Sequence, residues 1–106
     1  MAAPGKVLTE FVKRFRPDAA QGMNAVYQLS LTGDDGGTWH LSIANGECRL
    51  SEGPFEESDV RITMSVQDWS DLVAGRLDGF SAYLSGRIEL QGNFSLVMQL
   101  QPMFGL

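Results

Sequence analysis

The sequence has little of what builds metal clusters and covalent cross-links: one cysteine, Cys48, and one histidine, His40. An intrachain disulfide and a cysteine metal cluster are therefore excluded, and the pattern suits a reducing cytosol. Long apolar runs are missing too, since none approaches the roughly 18 residues of a membrane span. Met1-Ala2-Ala3-Pro4-Gly5-Lys6 contains no continuous apolar stretch, so no signal peptide is expected. The ending Phe104-Gly105-Leu106 is not the Ser-Lys-Leu peroxisomal address. Positive charge is scarce. Eight Lys and Arg face thirteen Asp and Glu, a net of −5, and such a chain repels phosphate backbones, so no nucleic-acid partner is expected. The glycines form neither Gly-x-Gly-x-x-Gly nor a Gly-Lys-Ser/Thr loop, so no nucleotide site is read.

What is present fits one domain over residues 1–106, with 43% hydrophobic and 20% charged residues. Val7, Leu8, Phe11, Val12 and Phe15 fall at helical spacing over 5–15, with Lys6, Glu10, Lys13 and Arg14 opposite, and Pro17 stops the helix. A period of two follows. Tyr27, Leu29 and Leu31 alternate with polar residues, as do Trp39, Leu41 and Ile43, then Cys48 and Leu50. Asp34-Asp35-Gly36-Gly37 and Asn45-Gly46 are hairpin signals, so these segments form a three-strand meander. Val60, Ile62 and Met64 mark a fourth strand after a polar loop. Each strand has one apolar and one polar face, which predicts an antiparallel sheet wet on one side and covered on the other.

The cover is helical. Ser65 and Asp68 open a helix with Val66, Trp69, Leu72 and Val73 on its apolar stripe, ended by Gly75. Residues 80–84 form a short helix, Ile88 and Leu90 a fifth strand, and Asn93 caps a last helix. Phe94, Leu96, Val97, Met98, Leu100, Met103 and Phe104 make that helix apolar over more than the width that packing on one surface requires. Pro102 disfavours helix at Gln101, so a kinked or loose end is expected. Periodicity leaves two readings of the last helix open: plain core, or the wall of a ligand site.

No catalytic constellation emerges. His40 falls on the polar strand face, where a surface position is expected, and Cys48 on the apolar face, as an inert small hydrophobe. Asp34 and Asp35 lack the spread of oxygen ligands of a calcium loop, and Glu56, Glu57 and Asp59 read as a solvated run. No metal, no cofactor and no enzymatic activity are expected. Residues 1–16 carry a net of +3 against −8 for the rest. Each cation near an acidic bilayer contributes roughly 1 kcal/mol, so this basic helix is either a solvated face or a weak, salt-sensitive contact with an anionic membrane.

An ordered series of short segments decides between the readings. It runs Ala19-Ala20-Gln21-Gly22, Val26-Tyr27-Gln28, Leu31-Thr32-Gly33, Asp35-Gly36-Gly37-Thr38-Trp39, Asp59-Val60, Ile62-Thr63-Met64-Ser65, Asp68-Trp69 and Leu72-Val73-Ala74-Gly75. It continues with Leu77, Gly79, Ala82, Gly86-Arg87-Ile88 and the helix after Gly92. From Pro17 to Phe104 the sequence resembles the sterol carrier protein 2 (SCP2-like) lipid-binding domains. The resemblance implies an α+β fold, a five-stranded, mostly antiparallel sheet with helices on one face and a hydrophobic tunnel between. It also implies a non-catalytic protein that holds a fatty acid, fatty acyl-CoA, sterol or phospholipid. Gln91-Gly92-Asn93 stands where the family often has Lys-Gly-Asp, which removes a phosphate contact.

A buried methylene contributes about 0.8 kcal/mol, and micromolar binding needs about 8 kcal/mol. With association costs added, more than about ten methylenes must enter. Such binding selects length and shape over headgroup. The expected tunnel lining is Trp39, Leu41, Ile62, Met64, Trp69, Leu72, Phe80, Tyr83, Leu84, Phe94, Val97, Met98, Leu100 and Phe104, with Gln99 or Gln101 near a headgroup. The alternative is an interaction or scaffold domain whose tunnel is closed, its last helix buried against a partner.

Overall fold

The computed structural model describes residues 4–34 and 36–105, with side chains described from Leu8 onward. Asp35 of the expected first turn, and the side chains of Lys6 and Val7, lie outside the described residues.

Five strands form one sheet: β1 (Asn24–Thr32), β2 (Gly37–Ala44), β3 (Glu47–Glu52), β4 (Val60–Ser65) and β5 (Glu89–Gly92), in the order β3-β2-β1-β4-β5. The meander of β1, β2 and β3 forms as expected, and Asn45 and Gly46 both have positive φ, at 54° and 75°, as a two-residue hairpin turn of this sequence requires. One pairing departs from the antiparallel expectation, because β4 runs parallel to β1. The reason is in the register. Glu52 at the end of β3 lies opposite Trp39, which lies opposite Leu29, and β4 begins with Val60 opposite Tyr27. The chain thus crosses over β2 and β1, re-enters close to the level at which it left, and runs the same way as β3 and β1. Pairing of β4 with β5 is again antiparallel.

The crossing segment, residues 53–59, passes over the polar face. The Phe55 N–H donates to Gln28 Oε1 at 3.0 Å, His40 Nδ1 lies 2.9 Å from the Gly53 carbonyl oxygen, and the Phe55 ring sits 5.2 Å from the imidazole. His40 is therefore half-buried rather than a free surface residue. Asp59, expected in a solvated run, instead pins the end of this crossing. Its carboxylate accepts from Val26 N–H, and its own N–H donates to the Val26 carbonyl, both at 2.8 Å.

The helices are α1 (Pro4–Val12), α2 (Val66–Val73), α3 (Gly79–Leu84) and α4 (Phe94–Phe104), with a short 3₁₀ turn at Pro17–Ala20. Three of their N-termini are capped by side chains that accept a backbone N–H: Ser65 from Asp68, Asp78 from Ser81 and Asn93 from Ser95. Such caps occupy donors that the helix itself leaves free. Asp68 does not return the bond of a capping box. Its carboxylate, 9% exposed, pairs with Arg87 and ties α2 to the approach to β5. Pro102 lies inside α4, and the helix passes through Gln101 to end at Gly105, φ 67°. The expected loose end is thus ordered. The proline removes only the bond to the Met98 carbonyl, on an exposed stretch, while Met103 and Phe104 just beyond it are fully buried.

Phe11 organises the core between the layers. Its ring stacks on Phe104 with centroids 4.3 Å apart and meets Trp69 edge-on at 4.9 Å. Under these rings lie the inward residues of the strands, Tyr27, Leu29, Leu41, Ile43, Ile62 and Met64 among them. Each such large side chain, fully buried, contributes about 1.5–3 kcal/mol.

Candidate functional site

Strand alternation sends Tyr27, Leu29, Leu41, Ile62 and Met64 to the helix-covered face, and the apolar stripes of α1, α2 and α4 bring Phe11, Trp69, Leu72 and Leu100 over them. These nine side chains line a small, partly open cavity of about 50 Å³. It lies where a tunnel between sheet and helices is expected, but at this size it falls well below the roughly 300 Å³ at which ligand pockets begin. An open groove of about 500 Å³ lies elsewhere, between the 3₁₀ turn and the β2–β3 hairpin. Its walls include Asp18, Gln21, Asn24 and Asn45, so it is a surface cleft rather than an apolar chamber.

Of the residues expected to line a tunnel, the structure brings Leu41, Ile62, Met64, Trp69, Leu72 and Leu100 to the cavity wall. Phe104 is spent on the stack with Phe11, and Trp39 is buried where β2 begins, with its ring 3.0 Å from the place a Cβ of Gly37 would take. Val97 and Tyr83 are half-buried. Phe80, Leu84, Phe94 and Met98 lie on the outer faces of α3 and α4, 62%, 67%, 47% and 61% exposed. The rings of Tyr83 and Phe94, 5.4 Å apart, bring α3 and the start of α4 together. Gln99 and Gln101 are exposed. Phe11, Tyr27 and Leu29 complete the wall and were absent from the expected lining. Strand alternation marks Tyr27 and Leu29 as inward, and only α1's unforeseen place across the sheet brings in Phe11.

Tyr27 carries the polar atom best placed to hold the site together. Its Oη donates to the Leu96 carbonyl at 2.8 Å, joining the central strand to the first turn of α4. Burial, and secondarily the Asp59 carboxylate, push its pKa from 10.0 up to about 12, so the hydroxyl keeps its proton. The two ends of α4 differ. The C-terminal end is buried through Met103 and Phe104, and Met103 accepts from Arg16 N–H at 2.7 Å. At the N-terminal end Phe94 is exposed and Leu96 and Val97 are only half-buried.

Other candidate groups lie apart from the cavity. His40 is on the loop-covered face. Cys48 lies opposite Ile43 toward the helices, where burial pushes the thiol pKa from 9.0 up to about 11 and keeps it protonated. The basic helix expected over 5–15 ends at Val12, and in the turn after it Arg14 is committed inward, donating to the carbonyls of Val73 and Gly105, while Lys13 lies 3.3 Å from Glu10. Among the described residues no group of His, Cys, Asp and Glu could hold a metal ion, and no helix is long and apolar enough to cross a membrane.

Comparison with known proteins agrees with this architecture. The chain is 33% identical over 87 residues to the bovine (Bos taurus) hydroxysteroid dehydrogenase-like protein 2, covering 81% of the chain and 21% of that relative, so it spans about a fifth of the length of such relatives. The crystal structure of sterol carrier protein 2 like 2 from Aedes aegypti superposes with a TM-score of 0.77 at 22% identity, covering 92% of this chain and 93% of that one. The solution structure of the palmitated form of that mosquito protein gives a TM-score of 0.72 at 20% identity, over 96% and 91% of the two chains. The SCP-2 sterol transfer family model matches residues 8–105, from Leu8 in α1 to the glycine that ends α4, and the chain belongs to that family.

Proposed function

We propose that the chain is a non-catalytic lipid-binding module that takes a long-chain fatty acid, fatty acyl-CoA, sterol or phospholipid between its sheet and its helices. One observation carries the reading: a small, partly open cavity with apolar walls drawn from both layers, in a member of the SCP-2 family. A cavity of about 50 Å³ does not hold ten methylenes, so uptake requires the helical layer to move. The N-terminal half of α4 is the segment to move, because its C-terminal half is fixed by buried Met103 and Phe104. The exposed side chains of Phe80 and Leu84 on α3 and of Phe94 and Met98 on α4 supply the first apolar contact for an entering chain. Among the described residues, Lys13 and Arg16 are the exposed cations of the basic segment that can meet an anionic lipid surface. His40 and Cys48 lie on opposite faces of the sheet, which separates the thiol from the imidazole, and His40 Nδ1 faces the Gly53 carbonyl rather than a carboxylate that would orient it as a base. Protein purified from cells at neutral pH is expected to carry lipid, detected by native mass spectrometry and by solvent extraction. Lipid-free protein that also fails to displace a fluorescent fatty acid would remove the proposal.

A second reading, an interaction domain with a closed cavity, is favoured by the smallness of that cavity and the exposure of Phe80, Leu84, Phe94 and Met98. It predicts a tight oligomer or complex in sedimentation, together with no lipid uptake.

A further inference from the structure

The indole of Trp69 presents an unanswered hydrogen-bond donor. Trp69 lines the cavity and is 4% exposed, and its Nε1 is a fully buried atom without an acceptor among the described residues. A buried N–H without a partner is a cost that native structures avoid unless a water, an ion or a ligand completes it. Around it the wall offers little. The side chains of Phe11, Leu29, Leu41, Ile62, Leu72 and Leu100 carry no acceptor, the Met64 sulfur is a weak one, and the Tyr27 hydroxyl is already bonded to the Leu96 carbonyl.

The same wall decides which acceptor fits. It contains no Lys, Arg or His. A carboxylate or phosphate drawn into it would be desolvated with a single neutral donor to compensate, which is far too little. A neutral oxygen carries no such penalty and needs one good donor. From these two facts we infer that Trp69 Nε1–H donates to a neutral oxygen of the bound lipid: a hydroxyl, a ketone or an ester carbonyl. The ligand class is therefore lipids that place such an oxygen inside the chamber, with any charged headgroup left outside. This rests on the lipid-binding reading above and narrows it, because apolar burial alone does not distinguish an alcohol from its parent hydrocarbon.

The indole N–H signals of nitrogen-15-labelled protein report this bond directly. The chain has two tryptophans, and Trp69→Phe assigns them. Adding 1-dodecanol is expected to move the Trp69 N–H signal downfield and to leave that of Trp39 in place, whereas dodecane leaves both. In competition with a fluorescent fatty acid, Trp69→Phe is expected to lose about tenfold in affinity for 1-dodecanol and to keep its affinity for dodecane within about twofold. Equal shifts with both ligands, or an equal loss of affinity for both in the variant, would overturn the inference and leave lipid binding standing. The first result would mean that a resident water completes the donor, the second that Trp69 is only a wall. Failure of both ligands to compete would bring down lipid binding and the inference together. The wild-type signals alone decide the matter if Trp69→Phe does not fold.

Discussion

Tyr27 Oη and the carbonyl oxygen of Leu96 lie 2.8 Å apart, and this bond joins the central strand to the first turn of the last helix. Tyr27 is 1% exposed, so without that partner its hydroxyl would be a buried group paired only with the Met23 sulfur at 3.9 Å. Tyr27→Phe keeps the ring and leaves the Leu96 carbonyl to find water. A loss of about 1–2 kcal/mol is expected, read as a fall in Tm of about 4–8 °C for each kcal/mol in a domain of this size. Because the bond also holds the N-terminal half of α4 in place, release of bound fatty acid is expected to accelerate in the variant. Stopped-flow measurement checks this, and an unchanged release rate would mean that lipid does not pass under that turn.

The same hydroxyl makes stability depend on alkaline pH. Its pKa is about 12 in the folded chain, against 10.0 for a free tyrosine. Between those values the unfolded chain has lost the proton and the folded chain still holds it, so the unfolded state binds fewer protons and stability falls as pH rises. The contribution is complete below about pH 10 and is lost through about pH 12. Tyr27→Phe has no such group. Urea unfolding of both proteins at pH 8 and pH 11 is expected to show the wild type's advantage shrinking at the higher pH.

Arg14 closes the ends of two helices at once. Nη1 donates to the Val73 carbonyl at the end of α2 at 3.0 Å, and Nη2 to the Gly105 carbonyl after α4 at 3.1 Å. A cation at two helix C-termini also meets the negative ends of both dipoles. Arg14→Ala is expected to cost about 1–3 kcal/mol in urea unfolding. Arg14→Lys should recover only part, since an ammonium has no planar fork to span two carbonyls. Full recovery by lysine would show that charge alone matters.

Tyr27 and Arg14 show where the sequence was legible. Tyr27 was readable as an inward strand residue from the alternation with Gln28 and Ser30, because a sheet with one wet face writes its burial with a period of two. Asn93 and Ser65 were readable as caps for a similarly local reason. The partners of Tyr27 and Arg14 were not readable, since Leu96 lies 69 residues and Val73 59 residues further along the chain and both accept through their backbone carbonyls. A carbonyl is present at every residue and leaves no mark in the pattern. Parallel pairing of β1 and β4 was hidden for the same reason: Val60, Ile62 and Met64 alternate identically whichever way the strand runs. The apolar excess of α4 was visible, but not its division into a buried end at Met103 and Phe104 and an exposed beginning at Phe94 and Met98.

Gly92 sits where no other residue fits well. Its φ is 108°, and a Cβ there would lie 2.3 Å from the Asp59 carbonyl oxygen. That oxygen also accepts the Asn93 N–H at 3.1 Å, the bond that aims the cap of α4. Gly92→Ala must therefore strain the backbone and push Asp59 away together, at a cost of about 3 kcal/mol or more. A comparison with Gly46→Ala separates the terms, because Gly46 has positive φ, 75°, and nothing within 4 Å of its would-be Cβ. Thermal melts are expected to place Gly92→Ala clearly below Gly46→Ala.

Cavity size gives the last prediction, since it ties packing to uptake. Leu100 reaches the cavity from α4 and is only half-buried, so a larger side chain there can fill the space without forcing the whole core apart. Leu100→Trp is expected to weaken binding of a fluorescent long-chain fatty acid by tenfold or more, on the order of 1.4 kcal/mol, while Tm holds or rises. Leu72, half-buried on the opposite wall from α2, tests the other direction. Leu72→Ala removes three carbons from the wall and is expected to cost about 2 kcal/mol or more in stability, while lowering the work of opening the chamber and so raising the rate of uptake. Opposite effects of the two changes on uptake would tie the ligand to this chamber. Equal indifference to both would place the ligand on the exposed side chains of Phe80, Leu84, Phe94 and Met98 instead.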